Sequence, residues 1–170
     1  MPEFRINISN LSEGLHDYTF ESKAELLELP SEYIGTVSIQ AHLEKSNRQL
    51  FLRATVQGSV DCTCDRCLEG FRQAIETRYT VVYAPDDRSM AGVKKEEDEV
   101  QILPPDANYV DLDEDVRQYL IIAVPQKMLC AEDCKGICPA CGANKNRKNC
   151  NCNIQETDSR WEVLKKLSKN

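Results

Sequence analysis

The longest regular signal in the chain is a two-residue alternation of apolar and polar positions between Gly35 and Tyr83. Val37 and Ile39 alternate with polar neighbours, Leu50, Leu52, Ala54 and Val56 repeat the pattern, and Gly58, Val60 and Cys62 continue it. A further strand from Phe71 to Tyr83 carries Ile75, Thr77, Tyr79, Val81 and Tyr83. Successive side chains of a strand point to opposite faces, so each run offers one face to a core and the other to water. Lys45-Ser46-Asn47-Arg48, between two of the runs, has hairpin chemistry. Together these runs predict an antiparallel sheet, curved or barrel-like, with a helix covering one face. Upstream, Phe4, Ile6 and Ile8 predict a short strand and residues 9 to 14 a turn or one helical turn. His16, Tyr18, Phe20 and Ser22, alternating with Leu15, Asp17, Thr19 and Glu21, predict a second, half-buried strand. The stretch KAELLELPSEY holds helix formers but soon meets Pro30, which leaves a brief helix or a connecting loop.

The covering helix is read at DEDVRQYLIIAVP. Asp111 or Asp113 would cap it, Val116, Leu120, Ala123 and Val124 would form its apolar face, and Tyr119 and Ile121 would widen that face. Pro125 ends it. Before the helix, residues 85–106 are acidic, contain Pro104-Pro105 and lack apolar periodicity, which predicts a mobile, solvated loop. At the far end, Ser159-x-x-Glu162 resembles a capping box, with Asp158 as a competing cap. Trp161, Leu164 and Leu167 then predict a short C-terminal helix, its Trp161 packed against the body. The predicted class is α+β: a strand-rich core with its helix over residues 1–125, and a cysteine-rich zinc-binding segment with a short helix over 126–170.

A chain of 170 residues supports one sizeable core with a small appendage. No apolar stretch approaches the roughly 18 residues that cross a bilayer, and MPEFRINISNLSEGL lacks the basic and apolar segments of a secretory signal. The expected location is the cytoplasm, with no membrane partner. Formal net charge is −7, unevenly spread: residues 86–115 carry eleven acidic and three basic side chains, whereas residues 116–170 carry ten basic and five acidic ones. The basic end can approach phosphates, although a few lysines on a short tail are commonly just a solvated face.

Candidate chemistry is concentrated in nine cysteines, six of them in LCAEDCKGICPACGANKNRKNCNC. Two thiolates two residues apart grip a tetrahedral zinc from a tight turn, and a second pair completes the shell. Cys138-Pro139-Ala140-Cys141-Gly142 has this form, and Gly142 allows the backbone to turn away with positive φ. Cys64-Asp65-Arg66-Cys67 has the same gap far upstream. With Cys62 set aside as a bystander, eight cysteines permit two four-sulfur sites. One division joins Cys64 and Cys67 to Cys130 and Cys134, leaving Cys138, Cys141, Cys150 and Cys152. Another joins Cys64 and Cys67 to Cys138 and Cys141, and spacing does not choose between them. One or two Zn2+ ions are favoured over an iron–sulfur cluster, and a reducing compartment over disulfides. Four thiolates saturate zinc and leave no water to activate, which points to shape rather than hydrolysis.

Elsewhere there is little catalytic chemistry. His16 and His42 lie on predicted strands and read as ordinary residues, and no HExxH, P-loop or dinucleotide fingerprint occurs. No small-molecule substrate is expected. The combination of VDCTCDRCLEGF, DLDEDVRQYLIIAVPQKMLCAEDCKGICPACGANKN and SRWEVLKKL resembles the bacterial YceD (DUF177) family, associated with accumulation of large-subunit ribosomal RNA. The resemblance implies a non-enzymatic role in ribosome biogenesis, with large-subunit rRNA or an assembling ribosomal protein as partner. It also matches Cys64 and Cys67 to the family's first paired motif, and Cys130, Cys134, Cys138 and Cys141 to the later run, which Cys150 and Cys152 close. Within that reading Lys135, Lys145, Arg147 and Lys148 are the candidate phosphate contacts. A zinc-stabilised protein adaptor that does not bind RNA is the alternative, and a thiol oxidoreductase using Cys64 and Cys67 the weaker one.

Overall fold

The computed structural model describes residues 3–47, 49–85, 99–104 and 106–152. Two compact units are present: Met1–Cys62 with Phe71–Gln126, and Thr63–Gly70 with Lys127–Asn170. The first contains the predicted alternating strands. In chain order its elements are β1 (Arg5–Asn7), β2 (Gly14–Lys23), a single 3-10 turn (Ala24–Leu27), β3 (Thr36–Lys45), β4 (Leu50–Thr63), β5 (Gly70–Pro85), β6 (Glu99–Leu103), β7 (Tyr109–Asp111) and α1 (Asp113–Ala123). The predicted C-terminal helix, with Trp161, Leu164 and Leu167, lies outside the described residues, as do residues 86–98 of the expected acidic loop.

Five strands form one sheet in the order β2-β3-β4-β5-β6, and β1 pairs with β7 in a small two-stranded sheet. The antiparallel register of β2 on β3 and of β3 on β4 aligns Phe20, Ile39 and Val56, then Tyr18, Ala41 and Ala54. Leu43 sits opposite Leu52 in the same way. These positions share one face, and Ile39, Leu43, Leu52 and Val56 are fully buried. The alternation therefore specified the register, because a slip by one residue would turn every apolar side chain to water.

Two features of the sheet depart from expectation. It is open rather than barrel-like, with β2 and β6 as different end strands, and it is mixed, because β5 and β6 run parallel from Val81↔Glu99 to Pro85↔Leu103. β6 also lies within the stretch expected to be a mobile loop. Its Glu-Val-Gln-Ile-Leu sequence has a short period-two alternation that the surrounding acidic residues and prolines outweigh in composition.

α1 packs on the buried face, where Leu120 and Val116 are fully enclosed. A Cβ placed on Gly58 of β4 would meet the Leu120 side chain at 3.6 Å, so the helix lies in ordinary contact above a bare backbone position. Tyr119 stacks on Tyr79 with ring centroids 4.5 Å apart. The buried Asp115 accepts hydrogen bonds from Tyr83 Oη at 3.3 Å and Gln101 Nε2 at 3.0 Å, and the Tyr33 hydroxyl donates to the Leu120 carbonyl at 2.6 Å. Ile121, expected to widen the apolar face, is instead exposed.

The helix start also differs from the predicted cap. Leu112 occupies the cap position and makes no side-chain hydrogen bond. Asp111 accepts the Asp113 N–H at 3.1 Å, while the Asp113 carboxylate accepts the Glu3 and Phe4 N–H groups at 2.8 and 2.7 Å. Asp113 thus anchors the N-terminal segment, and Asp113, Glu114 and Asp115 together complement the positive end of the helix. At the other end Val124 turns extended ahead of Pro125, as steric conflict with the proline ring requires.

Candidate metal centre

The second unit contains two copies of one tight hairpin. In the first, Leu68 N–H donates to the Cys64 carbonyl and Cys64 N–H to the Glu69 carbonyl, both at 2.9 Å. In the second, Gly142 N–H donates to the Cys138 carbonyl and Cys138 N–H to the Ala143 carbonyl, both at 2.8 Å. Each reverses the chain at a left-handed residue just after its second cysteine, Leu68 at φ 60° and Gly142 at φ 71°. Gly142 was predicted in this role. Leu68 carries the same conformation with a Cβ, at a cost of roughly 1–2 kcal/mol.

What joins the first hairpin to the later cysteines is the pair of residues between its own. Asp65 N–H donates to the Met128 carbonyl at 2.8 Å, and its carboxylate accepts the Met128 N–H at 2.7 Å. Arg66 Nη1 donates to the carbonyls of Glu132 and Cys134, each at 3.0 Å, and the Arg66 carbonyl accepts the Ile137 N–H at 3.0 Å. The segment 128–137 is stapled over the hairpin, which brings the Sγ atoms of Cys64, Cys67, Cys130 and Cys134 within 4.8 Å of one another. The sulfurs of Cys138, Cys141, Cys150 and Cys152 form a second group under the same limit. Of the two divisions that spacing left open, the sulfurs assemble as the first.

Both groups suit a tetrahedral thiophilic ion. Sulfurs about 2.3 Å from a zinc lie about 3.8 Å from each other. Cys64 and Cys134 are separated by 3.8 Å, and Cys67 and Cys130 by 3.6 Å. The backbone is already arranged for thiolates. The N–H of Cys130, then those of Cys67 and Arg66, point at Cys64 and hold its thiol down at about 6. The N–H groups of Cys141 and Ala140 do the same for Cys138, also to about 6. Neighbouring sulfurs push Cys130 up to about 12, chiefly through Cys67, and Cys152 up to about 12, chiefly through Cys141. One ready thiolate per group, crowded by thiols that resist ionising together, is an arrangement that a divalent cation relieves.

Gly136 marks a close backbone approach. Its φ is 71°, and a Cβ there would stand 2.9 Å from the Arg66 carbonyl oxygen. Gly136→Ala is expected to lower stability by about 1–3 kcal/mol, with Gly142→Ala as the comparison. Gly142 has the same φ but nothing within 4 Å, so its substitution carries only the backbone term, about 1 kcal/mol. Melting temperatures of the two variants measure the difference, and equal melts would contradict the close approach.

The remaining candidate residues fall as follows. Cys62 is half-buried, belongs to neither group, and its Sγ contacts the Val60 carbonyl at 3.5 Å. Lys135 and Lys148 are exposed and Lys145 is half-buried. Arg147 is exposed but pairs with Glu69 at 2.8 Å, so part of its charge is already used within the unit. His16 contacts the Ser12 carbonyl at 2.9 Å and His42 the Asp17 carboxylate at 2.5 Å, and neither joins a metal-competent group among the described residues. Sequence reasoning missed Asp65 and Arg66, whose only signal was charge placed between paired cysteines. It also missed Asn146, whose side-chain amide donates to Cys134 Sγ at 3.2 Å.

Comparison with known proteins places this cysteine-bearing frame. The family model described as large ribosomal RNA subunit accumulation protein YceD matches residues 52–168. The chain belongs to the YceD family. An Arabidopsis thaliana relative, named large ribosomal RNA subunit accumulation protein YCED homolog 1, chloroplastic, is 24% identical over 154 residues, covering 77% of this chain and 48% of its own. An uncharacterised protein of Mycobacterium tuberculosis is 29% identical over 130 residues, covering 75% of this chain and 61% of its own. The chain thus spans about half to three fifths of the length of these curated relatives. No solved structure gives a significant match. No helix among the described residues is long and apolar enough to cross a membrane. The YceD description concerns accumulation of a large-subunit ribosomal RNA.

Proposed function

We propose that this YceD protein is a non-enzymatic ribosome-biogenesis factor of the cytoplasm that supports accumulation or assembly of large-subunit rRNA. Its second unit would hold zinc in each four-sulfur group. The observation that carries the metal reading is the assembly of eight cysteines, spread from Cys64 to Cys152, into two groups of four. All-thiolate sites saturate the ion and serve shape. In this reading, zinc fixes the segment that presents Lys135, Lys145 and Lys148 to phosphates, with Arg147 as a weaker contributor because Glu69 holds it.

The test is a salt series of binding to purified large-subunit rRNA. Combined replacement of Lys135, Lys145, Arg147 and Lys148 by alanine is expected to weaken binding at least tenfold at low salt. It should also reduce the slope of log K against log salt by about two to three, close to one unit per lost phosphate contact. An unchanged affinity and slope would remove these residues from the RNA-contact assignment.

The Arg147–Glu69 pair favours a second reading, because it withdraws one of four cations from RNA. In that reading the unit is a zinc-stabilised adaptor for an assembling ribosomal protein. A protein partner that stays bound after nuclease treatment, together with no affinity for purified rRNA, would select it.

A further inference from the structure

The stretch between Cys141 and Cys150 is held at both ends by the second sulfur group, yet its middle residues serve the first. Asn144 organises this loop. Its side-chain Oδ1 accepts the Asn146 N–H at 2.8 Å, and its carbonyl accepts the N–H groups of Arg147 and Lys148 at 3.1 and 3.0 Å. The loop then reaches both arms of the first group. On one arm, Asn146 Oδ1 accepts the Lys135 N–H at 2.8 Å, which turns the amide nitrogen toward Cys134 Sγ, 3.2 Å away. On the other, Arg147 Nη2 pairs with Glu69 Oε2 at 2.8 Å, two residues beyond Cys67. Lys145 N–H also closes on the Gly136 carbonyl at 2.9 Å.

An N–H donor on a buried metal-bound thiolate disperses its negative charge and fixes its direction. Partners of this kind typically change metal affinity by 10- to 100-fold when removed. Cys134 is buried, so an alternative donor from solvent is not at hand. We propose that the two groups fill as a coupled pair, with Asn146 as the positioning residue that transmits the coupling. Metal in the second group orders the loop, and the loop delivers the Asn146 amide to the first. Linkage makes the effect mutual, so metal in the first group tightens the second by the same factor. The proposal rests on the metal reading given above and adds the order in which the sites respond to each other.

Titration of the metal-free full chain with cobalt(II) under reducing, anaerobic conditions tests it. Native mass spectrometry counts the ions, and thiolate-to-cobalt charge-transfer absorption reports the sulfur environment. The wild-type chain is expected to pass from zero to two ions with little one-ion species. Asn146→Ala should still reach two ions, but with a populated one-ion species, a first-group affinity 10- to 100-fold lower and a shifted charge-transfer band. Asn146→Asp keeps the acceptor for the Lys135 N–H and removes the donor to sulfur, so it should behave like the alanine variant, isolating the N–H···S contact from loop folding. Cys150→Ser with Cys152→Ser should bind one ion, more weakly than the wild-type first group does. Wild-type loading curves and spectra in both Asn146 variants would overturn the coupling while leaving two metal sites standing. A wild-type chain that binds no cobalt would overturn the metal reading and the coupling with it.

Discussion

Stripping the protein with a strong chelator is expected to unfold the second unit while the sheet unit stays folded. Among the described residues of that unit, the buried apolar side chains are Cys64, Cys67, Cys134 and Cys138. No leucine, valine or isoleucine among those described residues is fully enclosed, so thiols occupy the place of a hydrophobic core there. Without a cation, thiols packed 3.6–3.8 Å apart stay crowded, and two of the eight favour their charged form near neutral pH. Structural zinc in units of this size supplies roughly 10–16 kcal/mol, which exceeds the stability of most small domains. Amide NMR spectra provide the readout. Resonances of residues 64–69 and 127–152 should collapse on chelation and return with zinc, while those of β3 and β4 persist. Trypsin should then cut at Lys135, Lys145, Arg147 and Lys148. Spectra and digestion unchanged by chelation, in a protein from which no metal is released, would end the metal reading.

The largest effect in the sheet unit is expected from Leu120→Ala. Leu120 is fully buried, its side chain covers Gly58, and its carbonyl receives the Tyr33 hydroxyl. Truncation removes the contact at the one place where β4 offers no side chain of its own to fill the space. A cost of about 3–4 kcal/mol follows, within the range of 2–5 for buried leucines. The neighbouring Ile122 is 77% exposed, and Ile122→Ala should change stability by no more than about 0.5 kcal/mol. Urea midpoints at unchanged m-value measure both. Equal midpoints for the two variants would mean that α1 does not pack through Leu120.

Much of the first unit was legible because its physics is local. The alternation through Val37, Ile39, Leu52 and Val56 determines which face is buried, and burial then determines register. β6 was not legible, because Val100 and Ile102 stand among acidic residues and Gln101 spends its amide on Asp115, a partner with no signature in spacing. The parallel pairing of β6 with β5 escaped for the same reason: strand direction depends on the path of the intervening chain, not on periodicity. The helix cap was misplaced because Asp113 has a stronger use, as acceptor for the Glu3 and Phe4 N–H groups more than a hundred residues upstream. In the second unit the cysteine pairs were plain from their two-residue gaps. Their partnership was not, since it follows from the hydrogen bonds of Asp65 and Arg66 to a segment some sixty residues on.

The two hairpins that carry Cys64 and Cys138 share a backbone but divide their labour. Such a turn demands only a sulfur, a second sulfur and a left-handed residue; the two positions in between are discretionary. In the first copy Asp65 and Arg66 are committed to hydrogen bonds with the 128–137 segment of their own unit. In the second, the Pro139 and Ala140 side chains are exposed, and it is the Ala140 backbone N–H that points at Cys138. Natural variation therefore has unequal freedom at the two turns: drift at 65 and 66 is checked by folding itself, whereas drift at 139 and 140 is checked only by whatever the outer turn touches.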